Sequence, residues 1–158
     1  MIQTLPYLLP TPGNGGELRT KHFTMPIKVL IADDNRHFRE TLHILIAGTT
    51  HIMIVGQASN GEETINLATS LQPDIILMDI NMAPVNGFEA TRKILKKFNT
   101  IKIIGLSLHS DMSYCRNMLR LGASGYITKT SPYQQIITAI DEVFAGKRYI
   151  DKNITGDL

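Results

Sequence analysis

From Ile27 onward the chain alternates short runs rich in β-branched residues with longer runs whose apolar positions recur every three or four residues. That alternation narrows the fold more than any other feature. Strands interleaved with amphipathic helices bury both sets of apolar faces as a parallel sheet with helices packed against it. The pattern predicts strands over 27–32, 52–58, 74–78, 101–106 and 125–128. Most of these are too continuously apolar for a sheet with one wetted face, so both faces should be covered. One helical stripe runs through Phe38, Leu42, Leu45 and Ile46, and another through Ile136, Ile137, Ile140, Val143 and Phe144. Asn60 with Glu63, and Ser131 with Pro132 and Gln134, read as helix-starting capping boxes. Gly48, Gly122 and Gly146 fall where helices should end. The expected fold is α/β, a doubly wound five-stranded parallel sheet, and in such sheets ligands sit beyond the carboxyl ends of the strands.

Five reactive side chains occupy those ends. Strand one stops on Asp33 and Asp34, strand three on Asp79 and strand four on Ser107, while strand five runs into Lys129. The second strand ends on nothing reactive. Adjacent carboxylates repel, and at about 4 Å in a surface-like dielectric each contact costs roughly 4 kcal/mol before screening. A cation therefore belongs beside them. Two or three carboxylate oxygens with open positions suit Mg²⁺, which takes hard oxygen ligands and retains several waters. Asp79 could then act as a nucleophile toward a phosphoryl group, forming an aspartyl phosphate. Ser107 and Lys129 would hold the phosphoryl oxygens, one by a hydroxyl hydrogen bond and one as a point charge.

The acid pair in IADDN, the acceptor in ILMDINM, the hydroxyl in IIGLSLHS and the lysine in GYITKTSP stand in this chain order. Together they make the segment 27–149 resemble the receiver domain of a two-component response regulator. The stretches GASGYITK and AGKRYI are most similar to the NarL/FixJ (LuxR-type) class. The resemblance implies a flavodoxin-like strand order of 2-1-3-4-5 and phosphorylation of Asp79 by a sensor histidine kinase. It implies Mg²⁺ held by Asp34, Asp79 and the backbone carbonyl of Asn81, with Asp33 acting through a metal-bound water. Ser107 and Tyr126 become the switch pair, the tyrosine turning inward as the hydroxyl moves toward the phosphoryl group. Self-catalysed phosphotransfer and dephosphorylation, a phosphorylation-dependent homodimer and control of transcription through a helix-turn-helix DNA-binding effector complete the implied picture. His109, two residues past Ser107, is placed to influence the water that hydrolyses the phosphoryl bond. Three positions depart from the usual pattern. Pro84 follows Ala83 where a proline is common one place earlier, Leu108 stands where a small residue is common, and Thr130 replaces a frequent proline after Lys129.

Composition bounds the rest. A chain of 158 residues suits one domain with its own core. The net charge is only +2 and the 16 basic residues are scattered, so DNA contact is expected only through an effector absent from this chain. Cys115, the single cysteine, lies among Met112, Met118 and Leu119 and reads as an inert buried thiol, consistent with a cytoplasmic setting. No apolar run approaches the ~18 residues of a membrane span. Residues 1–24, broken by prolines and glycines, read as a leader or expression-derived extension outside the fold, with Met25 a candidate start. Residues 25–150 read as the receiver domain and 151–158 as the start of a linker. His22, His37, His43 and His51 lack metal-ligand spacing and are expected to face solvent. Two alternatives compete: a stand-alone receiver acting through protein contacts, and a Mg²⁺-dependent phosphatase of the haloacid dehalogenase type. The second needs an aspartate two residues after the nucleophile, where this chain has Asn81. A nucleotide-binding module would need a glycine-rich phosphate loop that the sequence lacks.

Overall fold

The computed structural model describes residues 4–6 and 22–154. Within the expected leader, β1 (Thr4–Pro6) and β2 (His22–Thr24) pair antiparallel as a sheet of their own. Strands of three residues are too short to show a two-residue period in sequence, so this pair was not foreseen. The remainder of the leader, and residues 155–158, lie outside the described residues.

The main sheet contains β3 (Ile27–Ala32), β4 (Ile52–Ala58), β5 (Ile75–Asp79), β6 (Lys102–Ser107), β7 (Gly125–Thr128) and β8 (Tyr149–Ile150). All its pairings are parallel, in the order β4-β3-β5-β6-β7-β8. Counted from Ile27, this is the implied order 2-1-3-4-5 with a sixth strand added beyond the fifth. The chain leaves β3 toward one edge and returns to lay β5 on its other side. That reversal opens a crevice at the carboxyl ends of β3 and β5.

Two expected strands shift by one residue, to 75–79 from 74–78 and to 102–107 from 101–106. Asp74 stays outside the strand because its carboxylate accepts the Lys28 N–H at 2.8 Å. The shift matters: Asp79 and Ser107 are the last residues inside their strands and are held by the ladder.

Five helices connect the strands: α1 (Arg36–Ala47), α2 (Gly61–Leu71), α3 (Gly87–Lys97), α4 (Met112–Arg120) and α5 (Tyr133–Phe144). Asn35, Asn60 and Asn86 each accept the backbone N–H three residues on, capping α1, α2 and α3. Glu63 completes its box on Ser59 rather than Asn60, accepting both the Ser59 N–H and its hydroxyl. The box expected at Ser131 does not form. Pro132 is the N-cap of α5, with no side-chain cap, and the Ser131 hydroxyl goes instead to the stronger carboxylate acceptor of Asp151. Of the glycines expected at helix ends, Gly122 and Gly146 adopt φ of +101° and +87°, a region that costs other residues energy. Gly48 ends α1 with ordinary right-handed geometry.

The sheet separates two cores. Leu42 and Ile46 of α1 and Ile136, Ile137, Ile140 and Val143 of α5 cover one face, meeting Val29, Ile31, Ile75 and Ile127 from the strands. On the other face Ala68 of α2, Ile94 of α3, and Met112, Cys115 and Met118 of α4 meet Leu30, Ile76, Met78 and Tyr126. Among the described residues, the four buried methionines, Met78, Met82, Met112 and Met118, all lie on this second face. Phe144 departs from its expected stripe and is 43% exposed at the end of α5. None of the described helices is long and apolar enough to cross a membrane.

Candidate phosphoacceptor site

The crevice collects the strand-end residues. Asp33 leaves β3 fully buried, its N–H donating to the Ala58 carbonyl. One of its carboxylate oxygens accepts the Asn35 N–H at 2.8 Å, and its backbone carbonyl accepts Arg39 Nη1 at 2.6 Å. Asp34 faces solvent. Asp79 is buried at the end of β5, where Oδ1 accepts the Asn81 N–H at 3.3 Å. On the neighbouring strand, β6 places Ser107 one residue past Leu106, the register partner of Asp79. The Ser107 carbonyl accepts the Lys129 N–H at 2.8 Å, which aims the lysine into the crevice. Its ammonium stands 2.7 Å from Asp33 Oδ2 and 3.0 Å from Asp79 Oδ1, and 5.0 Å from the centre of the Phe38 ring. A cation does meet Asp33, and it is Lys129, which bridges it to Asp79 rather than to its neighbour Asp34.

Electrostatics follow from this packing. Burial, reinforced by the neighbouring Asp33 charge, pushes the Asp79 carboxyl above the ordinary aspartate range against the opposing pull of Lys129. For Lys129, burial works against the ammonium, but the hydrogen bond and charge of Asp33, joined by Asp79, outweigh it and raise the pKa. The site therefore still carries more buried negative charge than one ammonium balances. Asp33, Asp34 and Asp79 each offer an oxygen within 4.8 Å of the others. Three hard oxygen donors, two buried and one facing solvent, fit a small divalent cation that keeps part of its hydration.

The response regulator receiver domain pattern matches residues 29–141. The chain belongs to that family. Over 132 residues, 84% of its length, it is 38% identical to the transcriptional regulatory protein DegU of Brevibacillus brevis and 38% identical to the response regulator GacA of Pseudomonas syringae pv. syringae. It spans only 56% and 62% of those two proteins. A crystal structure of a LuxR-family two-component response regulator from Aurantimonas sp. SI85-9A1 superimposes with a TM-score of 0.79 at 29% identity, covering 82% of this chain and 92% of that one. A receiver is a signalling domain rather than a conventional enzyme, so the dehalogenase-type phosphatase reading falls.

Near Asp79, the receiver holds Tyr126 wholly buried, its hydroxyl donating to the His109 carbonyl at 3.0 Å. Burial pushes this phenol up to about 12, against the opposing hydrogen-bonding contact of Ser107. Gly105, the register partner of Tyr126, makes room: a Cβ there would lie 3.1 Å from Tyr126 Cδ2. His109 reaches the site through its backbone, its N–H donating to Ser107 Oγ at 3.0 Å. The exposed imidazole stacks on Tyr114, with centroids 4.5 Å apart. Leu108 is 69% exposed and turned outward. In the loop after Asp79, Asn81 is exposed and the Ala83–Pro84 bond is cis. Cys115 is buried, and burial pushes its thiol up. His37, His43 and His51 are exposed, while His22 side-chain placement lies outside the described residues.

Three contributors escaped sequence reasoning. Arg39 and Phe38 sit one turn into α1, where a helix-face pattern does not distinguish a site-facing arginine from a solvated one. Asp151 is the third: it is 1% exposed although it follows a strand of only two residues. The signal available for it was the apolar pair Tyr149-Ile150 directly before a carboxylate, an echo of the ends of β3 and β5.

Proposed function

We propose that Asp79 accepts a phosphoryl group from a phosphohistidine of a sensor histidine kinase and that its occupancy switches the output of a transcriptional regulator. The observation that carries this reading is the buried Asp79 carboxylate held 3.0 Å from the Lys129 ammonium, with Asp33 and Asp34 beside it. In the transfer an Asp79 oxygen forms the new P–O bond as the donor P–N bond breaks, and the imidazole leaves with the electron pair. Hydrolysis later returns the carboxylate and releases inorganic phosphate. Asp34, Asp79 and the Asn81 carbonyl would hold Mg²⁺, with Asp33 reaching it through water. Bound there, the ion supplies neutralisation of phosphoryl charge.

The chain's own residues do the remainder. The Lys129 ammonium has three donors, so it can turn one to a phosphoryl oxygen while keeping Asp33. The Ser107 hydroxyl rotates to donate to another oxygen and exchanges its contacts with the His109 N–H and Tyr126. That exchange is the switching step, passed to the face formed by α4, β7 and α5. A full swing from 1:99 to 99:1 needs about 5.5 kcal/mol of differential stabilisation, within reach of a dianion meeting an ammonium and a hydroxyl in a buried site. The readout is a homodimer in the cytoplasm that engages DNA through an effector domain outside this chain, a reading supported by the relative named as a transcriptional regulatory protein.

The test is labelling by acetyl phosphate with and without Mg²⁺. Wild type takes up label only with the ion, and Asp79→Asn takes up none. Label retained in the variant would move the acceptor elsewhere.

A further inference from the structure

We propose that Asp151 is a positioning residue for Lys129, acting through Thr128 and Ser131 on either side of it. The proposal rests on Asp79 being the phosphoryl acceptor.

Asp151 Oδ2 accepts the Thr128 N–H at 3.0 Å, the Thr128 hydroxyl at 3.0 Å and the Ser131 hydroxyl at closer range. The two hydroxyls are themselves 2.7 Å apart, so two protons serve three contacts and the carboxylate draws at least one of them. Asp151 Oδ1 accepts the Asn153 N–H at 2.9 Å, and the Asn153 amide reaches Ser131 Oγ at 3.3 Å. The Asp151 N–H donates to the Tyr126 carbonyl at 2.9 Å, so the residue is stitched to β7 by its backbone as well. Thr128 and Ser131 are 1% and 8% exposed.

A buried carboxylate without a cationic partner is costly unless donors replace its hydration. Here burial opposes the charge, but the Ser131 hydroxyl and the Asn153 and Thr128 donors outweigh it and hold Asp151 below the ordinary range. The anion is thus fixed, and it fixes its donors. Lys129 lies between two of them and is anchored at its own N–H by the Ser107 carbonyl. Its backbone is therefore clamped from both sides of β7, and its ammonium is aimed across the crevice rather than left to sweep solvent. Residues 151–154, expected to begin a linker, supply part of that clamp.

The experiment uses the whole chain, with Asp151→Ala and the shape-preserving Asp151→Asn. Two quantities are read: the acetyl phosphate labelling rate at saturating Mg²⁺, and Mg²⁺ affinity by NMR titration. A displacement of about 1 Å can cost about 10²-fold in rate, so the alanine variant should label about tenfold more slowly and the asparagine variant should fall between it and wild type. Mg²⁺ affinity should hold or rise, because a loosened ammonium competes less for Asp33 and Asp79. Labelling at the wild-type rate would overturn the proposal. So would a fall in rate accompanied by weaker Mg²⁺ binding, which would mean general loosening of the pocket. If the alanine variant does not fold, the same comparison is made on Asp151→Asn alone. Asp79→Asn runs alongside: if it labels like wild type, the acceptor assignment has failed, whatever Asp151 does.

Discussion

Asp79 is held in a place that disfavours its charge, and this has a measurable sign. Its folded pKa lies above the ordinary aspartate value through burial and the Asp33 charge. The native state therefore binds the proton more tightly than the unfolded chain does. Its contribution to stability is fully present below the unfolded pKa and is lost as pH rises through the folded one. Asp79→Asn should accordingly raise the denaturation midpoint at neutral pH, and its advantage over wild type should shrink as pH falls through the carboxylate range. An equal gap at all pH values would contradict this. His109 offers a second test, since its site contacts run through the backbone and survive truncation. His109→Ala should leave the labelling rate within about twofold and lengthen the half-life of the phosphorylated form if the ring assists the attacking water as in general base catalysis. An unchanged half-life removes the ring from that step. At this scale the sequence was most legible where chemistry coincides with a strand end: Asp33, Asp79, Ser107 and Lys129 all reach one crevice. It was least legible at Asp151, where two residues of strand leave no periodicity to read.

At the scale of elements, the loop from β5 to α3 shows how closely Asp79 is surrounded. Gly87 N–H donates to the Ile80 carbonyl at 2.9 Å, and a Cβ on Gly87 would lie 2.1 Å from the Asp79 carbonyl oxygen. Backbone, unlike a flexible side chain, has little room to yield. Gly87→Ala should destabilise the fold by about 1–3 kcal/mol, as overpacking does, and slow labelling by displacing the end of β5. Chemical denaturation and the labelling rate check the two parts separately. The strands over 27–32, 52–58 and 125–128 match their expected bounds because apolar runs and turn residues agree there. The strand at 75–79 slipped by one residue where the Asp74 side chain took a backbone donor. Ser131 misled for a related reason: a hydroxyl placed to cap a helix found a carboxylate from a later segment, which no local window contains.

Across the whole molecule the sheet divides side chains of different character. The face under α1 and α5 is filled largely by isoleucine and valine, whose branched Cβ atoms restrict them to few rotamers. The face under α2, α3 and α4 mixes five isoleucines with Cys115 and the four buried methionines of the described residues, and these sulfur side chains, unbranched or small, repack at modest cost. Ile140→Leu, which keeps the volume but moves the branch off Cβ, should therefore cost more in chemical denaturation than a swap of equal volume on the other face. Met118→Leu, which conserves volume, should cost less than about 1.5 kcal/mol. Comparable losses would erase the distinction. Tyr126 lies on the methionine side, beside Met118 across Gly105. On the proposed reading, a displacement starting at Ser107 is passed to the side of the sheet that carries the repackable sulfur side chains, under α4. A sulfoxide on the buried Met118 would set a polar group beside Tyr126, and on the proposed reading it would muffle the output while Asp79 still took up label.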